Sequence, residues 1–349
     1  MADFSKLTEL DKHHIFDAID AQPGQLTLNF ADSMRDDIIP KMGEGLRSVV
    51  MAGMGGSALA GNILRNWLYG RMSVPFEVVR GYDLPAYVGP SSLVIVSSHS
   101  GNTEESLSAL DKAEKLNTQI VIMTAGGKLA EIAKQKGYLL LELPAEGQPR
   151  LNVFAGLKAL ACLLGDLGLV GEVDVRRELI EVANWLEVQK STMSLDNDSE
   201  DNLARQIAGK LHGKVGLVYA GPALGSAAYK WKIDINENAK QLAFYNTYSE
   251  LNHNEYQGWV FPKAKHVQAI QLESNLDNER IQKRMVITRT ILGEHGFDPI
   301  RVSAVGDTPL QQLLYTILLG DYVSAYLGIL NGIDPTPVEM VEKLKKELG

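Results

Sequence analysis

Two stretches in the first third of the chain concentrate groups that can hold an anion. Gly53-Met54-Gly55-Gly56-Ser57 lies between an apolar run and a segment of helical spacing. Glycines there let backbone N–H groups approach a ligand, and a helix start adds partial positive charge, so the turn suits a phosphate. Ser97-Ser98-His99-Ser100-Gly101-Asn102-Thr103 stands in the same relation to another apolar run and packs four hydroxyl residues into seven positions. Hydroxyls and backbone N–H groups are good neutral donors to phosphate oxygens. The glycines do not follow G-x-G-x-x-G and no Walker lysine is present. A small phosphomonoester is therefore the expected ligand, rather than a dinucleotide or ATP.

Other candidates are ordinary when read one at a time. Glu237 ends the helical run YKWKIDINE and reads as a solvated helix-end carboxylate. His253, in NHNEY, reads as a surface histidine, and Arg150, after Pro149, as an exposed cap. Thr336 precedes PVEMVEKLKKELG and reads as the cap of a final helix. The remaining histidines, His13, His14, His99, His212, His266 and His295, form neither H-x-x-x-H nor H-E-x-x-H. The single cysteine, Cys162, lies in the apolar run LKALACLLG and is expected in the core. These spacings predict no metal centre.

The elements around the loops alternate. RSVVMAGMGG, FEVVRGYDLP, SLVIVSSHSGNT, QIVIMTAGG and YLLLELP read as strands, with helices such as ALAGNILRNWLYG, TEESLSALDKAEKLN and KLAEIAKQKG between them. Near-continuous apolar strands separated by helices imply a parallel sheet covered on both faces, the doubly wound three-layer α/β class. Two loops leaving adjacent parallel strands would converge at a topological switch point. The second half repeats the theme: KVGLVYAGPALGS, HVQAIQLES and DPIRVSAVG read as strands, and the run from Thr308 to Leu330 reads as a helix stopped by Asn331-Gly332. GMGGSALAGN and GPALGSAAYK echo each other and suggest a duplicated unit. A domain boundary is expected near 150, giving 1–150 and 151–349, and the polar interval 191–202 reads as a linker or exposed loop. With 34 Lys and Arg against 43 Asp and Glu, the formal charge is −9, which disfavours nucleic acid and anionic membrane surfaces as partners. The apolar stretch Val153–Val170 is interrupted by Lys158 and Asp166 and is not expected to span a membrane. The first residues carry charges and no apolar signal core, so a cytoplasmic location is expected.

GMGGS followed about forty residues later by SSHSGNT resembles the sugar isomerase (SIS) domain family, whose members bind phosphosugars. Gln148-Pro149-Arg150, Asn236-Glu237-Asn238, His253-Asn254-Glu255 and Asp334-Pro335-Thr336-Pro337 follow in order. With them the chain, from about residue 45 onward, resembles the bifunctional phosphoglucose/phosphomannose isomerase family. The resemblance implies two tandem SIS-type three-layer αβα domains, each with a mainly parallel sheet. It implies interconversion of glucose 6-phosphate, mannose 6-phosphate and fructose 6-phosphate through a cis-enediol, with no cofactor. It assigns the phosphate to Gly55, Gly56, Ser57, Ser98, Ser100 and Thr103. It makes Glu237 the base, with Glu255 a possible substitute. It gives ring opening to His253, supplied by the neighbouring subunit of a homodimer, and the facing of the enediolate to Arg150. Thr336 would line the sugar pocket and admit both C2 epimers. His99 stands where a tyrosine is common in the family and would make phosphate binding pH-dependent. The interval from Arg150 to Glu237 looks longer than in compact members, which suggests an inserted loop. The competing readings are a non-catalytic phosphosugar-binding regulator, the isomerase half of a glucosamine 6-phosphate synthase and an arabinose 5-phosphate isomerase.

Overall fold

The computed structural model describes residues 3–29, 39–261 and 266–348. They form two compact units, Ala21–Asn184 and Met1–Asp20 with Trp185–Gly349. The expected boundary at 150 does not coincide with this division. The reason is helix Val153–Asp166, in which every residue from Val153 to Leu164 is buried. It packs against the helix that follows the first strand, so it belongs to the core of the first unit.

In the Ala21–Asn184 unit the strands are β1 (Ser48–Ala52), β2 (Phe76–Val79), β3 (Ser92–Ser97), β4 (Gln119–Thr124) and β5 (Leu139–Glu142). All pair in parallel, in the order β2-β1-β3-β4-β5. β1 and β3 are buried at every position, as strands covered on both faces must be. The helices are α1 (Gly55–Trp67), α2 (Glu104–Lys115), α3 (Gly127–Lys136) and α4 (Val153–Asp166). The division between the units falls inside α5 (Val175–Gln189).

The other unit repeats the plan. Its strands are β6 (Val215–Ala220), β7 (Ala243–Thr247), β8 (Val267–Glu273) and β9 (Ile300–Ser303), parallel in the order β7-β6-β8-β9. That order matches the first four strands of the other sheet, as the sequence echo suggests. Its longer helices are α6 (Leu203–Leu211), α7 (Gly225–Glu237), α8 (Glu279–Glu294), α9 (Pro309–Leu330) and α10 (Glu339–Leu348). β7 was not among the expected strands: it lies at the sheet edge with Phe244 and Tyr245 exposed, so its apolar pattern is not that of a buried strand. The interval 191–202 is no free linker. Met193, Ser194 and Asn202 are buried, and the Asn202 side chain donates to Ser194 and Asn197 while capping α6.

α9 is a longer apolar helix than α4. By length and composition it could cross a membrane, but 94% of its most apolar window is buried inside the fold. It ends at Asn331, and Gly332 takes φ +75°, as the Asn-Gly stop predicts.

Candidate functional site

The chain leaves β1 toward β2 on one side and crosses to β3 on the other, so the two hydroxyl-bearing loops emerge side by side at the switch point. They are tied together. The His99 amide donates to Ser57 Oγ at 3.0 Å, and Ser97 Oγ donates to the Ser57 carbonyl at 3.3 Å. Within the second loop Ser98 Oγ pairs with Thr103 Oγ1 at 2.8 Å and accepts from the Gly101 amide at 3.1 Å. Ser100 Oγ lies 3.5 Å from Ser98 Oγ and accepts from the Asn102 amide. Thr103 stands at the N-cap of α2, yet its side chain makes no capping bond there, because the hydroxyl is turned into the loop. Gly55 opens α1. Ser98 is buried, Gly56, Ser57 and Thr103 are half-buried, and Gly55 and Ser100 are exposed. The loops therefore present two helix N-termini and a row of hydroxyls on an open rim, a set of donors that suits a dianion.

Arg150 belongs to the same unit. It sits on the short helical turn Pro149–Leu151 and is only 2% exposed, so the exposed-cap reading is overturned. Its guanidinium donates to Gln148 Oε1 at 3.1 Å. A Cβ on Gly56 would lie 2.9 Å from the Pro149 carbonyl carbon and 3.0 Å from the Arg150 nitrogen. Only glycine lets the start of α1 approach the arginine backbone this closely. Two residues that sequence reasoning missed hold the turn. Gln25 Nε2 donates to the Leu151 carbonyl at 2.8 Å while its Oε1 accepts from the Ala155 amide. Asn152 Nδ2 donates to the Glu146 carbonyl at 2.6 Å and lies 3.3 Å from His99 Nε2. Gln25 is far from any motif, and Asn152, two residues after Arg150, is an amide that no spacing marks.

His99 Nε2 donates to the Pro144 carbonyl at 3.0 Å, since a carbonyl can only accept. Burial lowers the His99 pKa from its ordinary 6.5, and this outweighs the raising effect of Pro144. The imidazole is thus neutral at pH 7 and adds no cation to the phosphate loop.

Glu237, His253 and Thr336 lie in the other unit. Glu237 is the last residue of α7 and is half-buried. The helix beneath it is pinned from inside. Lys230 Nζ reaches both Asp234 oxygens at 2.8 and 2.7 Å and Asp321 Oδ1 of α9 at 2.5 Å, with all three side chains fully buried. Trp231 Nε1 donates to the Thr316 carbonyl and Asn238 Nδ2 to Ser324 Oγ, both groups of α9. His253 is exposed on the turn Leu251–Asn254. The flanks of that turn are fixed, with Leu251 and Trp259 in a core with Tyr219 and Met285. Glu255 accepts from Tyr219 Oη and from Asn246 Nδ2. Thr336 does not cap α10: the Val341 and Glu342 amides donate to the Val338 carbonyl, so Val338 holds that position. The Thr336 amide donates instead to Asp334 Oδ1 at 3.0 Å.

The corresponding switch-point loop of the second sheet is occupied from within. Asp277 is buried, its Oδ1 accepts from the Ala223 amide at 2.9 Å, and a Cβ on Gly221 would sit 2.0 Å from its Oδ2. A cavity of about 910 Å³ opens near the start of β8 and β9, lined by Lys210, Lys214, His295 and Arg301 among others, and none of the expected site residues lines it. Among the described residues no group of three or more His, Cys, Asp or Glu could hold a metal ion.

The geometry agrees with what the chain is similar to. A family model for the SIS domain matches residues 46–151. One for the bacterial phospho-glucose isomerase C-terminal SIS domain matches residues 200–348. The bifunctional phosphoglucose/phosphomannose isomerase of Caldicellulosiruptor bescii is 37% identical over 311 residues, 88% of this chain and 91% of that one. Its counterpart in Aquifex aeolicus is 34% identical over 305 residues, 86% of this chain and 90% of that one. The C-terminal domain of glucosamine-fructose-6-phosphate aminotransferase from Francisella tularensis superposes with a TM-score of 0.73, covering 94% of this chain and 98% of that one. At 15% identity that likeness speaks for the fold alone. A shared fold would leave many chemistries open, but one-third identity along nearly the whole chain does not: this chain belongs to the bifunctional phosphoglucose/phosphomannose isomerase family.

Proposed function

We propose that the chain is a cytoplasmic homodimeric aldose–ketose isomerase that interconverts glucose 6-phosphate, mannose 6-phosphate and fructose 6-phosphate. The observation that carries this reading is the pairing of a glycine-rich and a hydroxyl-rich loop tied by Ser57 and His99, with the Arg150 backbone packed against the start of α1. In this reading Gly55, Gly56, Ser57, Ser98, Ser100 and Thr103 take the phosphate through backbone N–H and hydroxyl donors.

His253, from the neighbouring subunit, opens the ring by moving a proton between the anomeric hydroxyl and the ring oxygen. Its exposed place on an anchored turn supports a role toward a second copy. Glu237 removes the proton from C2 of the open aldose and returns it to C1, and the hydroxyl proton moves from O2 to O1. The intermediate is a cis-enediol. A carboxylate held at the end of a pinned helix suits a base that must reach two neighbouring carbons. Arg150 offsets the negative charge that develops on the two oxygens. Thr336 leaves room for either configuration at C2. The hydrogen bonds to Glu255 from Tyr219 and Asn246 support a structural role for that carboxylate, leaving Glu237 as the base. None of these steps calls for a metal or cofactor.

The test is a coupled assay on EDTA-treated protein given fructose 6-phosphate, with glucose 6-phosphate and mannose 6-phosphate followed separately. Both products are expected. Glucose 6-phosphate alone would remove the dual specificity. Neither product, with phosphosugar binding retained, would make the chain a binding regulator.

A further inference from the structure

Three residues beyond Glu237, the chain makes a turn that is bonded to the loop carrying Thr336. Lys240 takes φ +51°, a conformation uncommon for a residue with a side chain. Its Nζ donates to the carbonyls of Pro335 at 2.8 Å, Asp334 at 3.1 Å and Asn238 at 3.4 Å. One ammonium thus joins the end of α7 to the loop that carries Thr336. An ammonium has three protons and no acceptor, so three carbonyls match its capacity. A second bond runs in parallel: Asn331 Nδ2 donates to the Ala239 carbonyl at 2.8 Å. On the far side, Asp334 fixes Thr336 through its amide and receives His13 Nδ1 at 2.6 Å.

We infer that Lys240 is a positioning residue that sets the placement of Thr336 relative to Glu237 and so sets the partition between the two C2 epimers. The inference rests on the roles proposed for those two residues. The physical argument is one of rigidity. Without Lys240, the three carbonyls lose their common donor, while the bond from Asn331 remains. Glu237 keeps its place through α7, whose internal bonds to α9 do not involve Lys240. The change is therefore directed at Thr336.

The experiment compares wild type, K240M, K240R and T336A. Methionine keeps the length of the side chain and removes the ammonium. Arginine restores a cation with several donors. The readout is the ratio of mannose 6-phosphate to glucose 6-phosphate formed from fructose 6-phosphate at early times. Because it is a ratio, it counts only folded, working molecules and is insensitive to lost protein. K240M is expected to move the ratio roughly ten-fold, the scale on which one pocket contact discriminates, with K240R returning toward wild type. An unchanged ratio in K240M with a shifted ratio in T336A overturns the inference and leaves the role of Thr336 standing. An unchanged ratio in T336A removes that role, and the inference falls with it.

Discussion

Ser57 Oγ accepts the amide proton of His99 at 3.0 Å, joining residues 42 positions apart. The hydroxyl at the start of one helix is thereby the fastener of the neighbouring loop. A second bond, from Ser97 Oγ to the Ser57 carbonyl, runs beside it.

Replacing Ser57 by alanine should loosen the phosphate end more than the chemistry. S57A is expected to raise KM for fructose 6-phosphate about ten-fold, the value of one hydrogen bond to a charged group, with a smaller change in kcat. Steady-state kinetics with inhibition by inorganic phosphate checks this. An equal loss in kcat with KM unchanged would assign Ser57 to the transition state instead.

E237Q should keep the fold and lose turnover. The expected drop in kcat is about 10²–10⁴-fold, the usual contribution of a positioned base. Thermal unfolding should be unchanged, since Glu237 lies outside the buried cluster below it. Full turnover with fructose 6-phosphate would remove Glu237 as the base.

His99 sets a pH dependence of stability rather than of phosphate charge. Its folded pKa lies below the ordinary 6.5, chiefly because the ring is buried. As pH falls through 6.5 the unfolded chain therefore takes up a proton that the folded chain still refuses. The contribution is complete above 6.5 and is lost as pH falls toward the folded value. Melting temperatures of wild type should drop as pH falls below 6.5 more steeply than those of H99Q, which has no proton to take up there. Parallel curves would assign the slope to other groups.

The cluster of Lys230, Asp234 and Asp321 predicts a large loss from a single change. Burial alone would lower the Lys230 pKa, but the two carboxylates outweigh it and keep the ammonium charged. K230M leaves both carboxylates buried without their cation and is expected to destabilise the protein by about 3–5 kcal/mol. Urea unfolding at neutral pH measures it. A loss below about 1 kcal/mol would mean that the site relaxes or admits water.

The parts of the molecule that follow one-dimensional rules were legible in the sequence. β1, β3 and β4 are apolar runs bounded by turn residues, and they are sheet-core strands. The anion loops follow them because glycine and hydroxyl residues cluster at strand exits. The edge strand β7 was not legible, since half its residues face away from the core and carry no apolar run. Arg150 looked exposed because its burial depends on contacts from elsewhere in the chain, here the approach of Gly56. Thr336 looked like a helix cap and is not one, and Thr103 stands at an N-cap without making the capping bond. A hydroxyl beside a helix start has several places to turn, and tertiary contacts decide. Gln25 and Lys240 carry no local signal, because what they hold is distant backbone.

α9 raises a question of timing. The surfaces that cover it come from the short helix Ile15–Asp20 and from α6 and α7, all of which precede it in the chain. A ribosome delivers about 5–20 residues per second, N-terminal end first. When this long apolar helix emerges, its shelter has already been made. The order of segments along the polypeptide thus shortens the time this helix spends bare in water, where it would otherwise seek another chain.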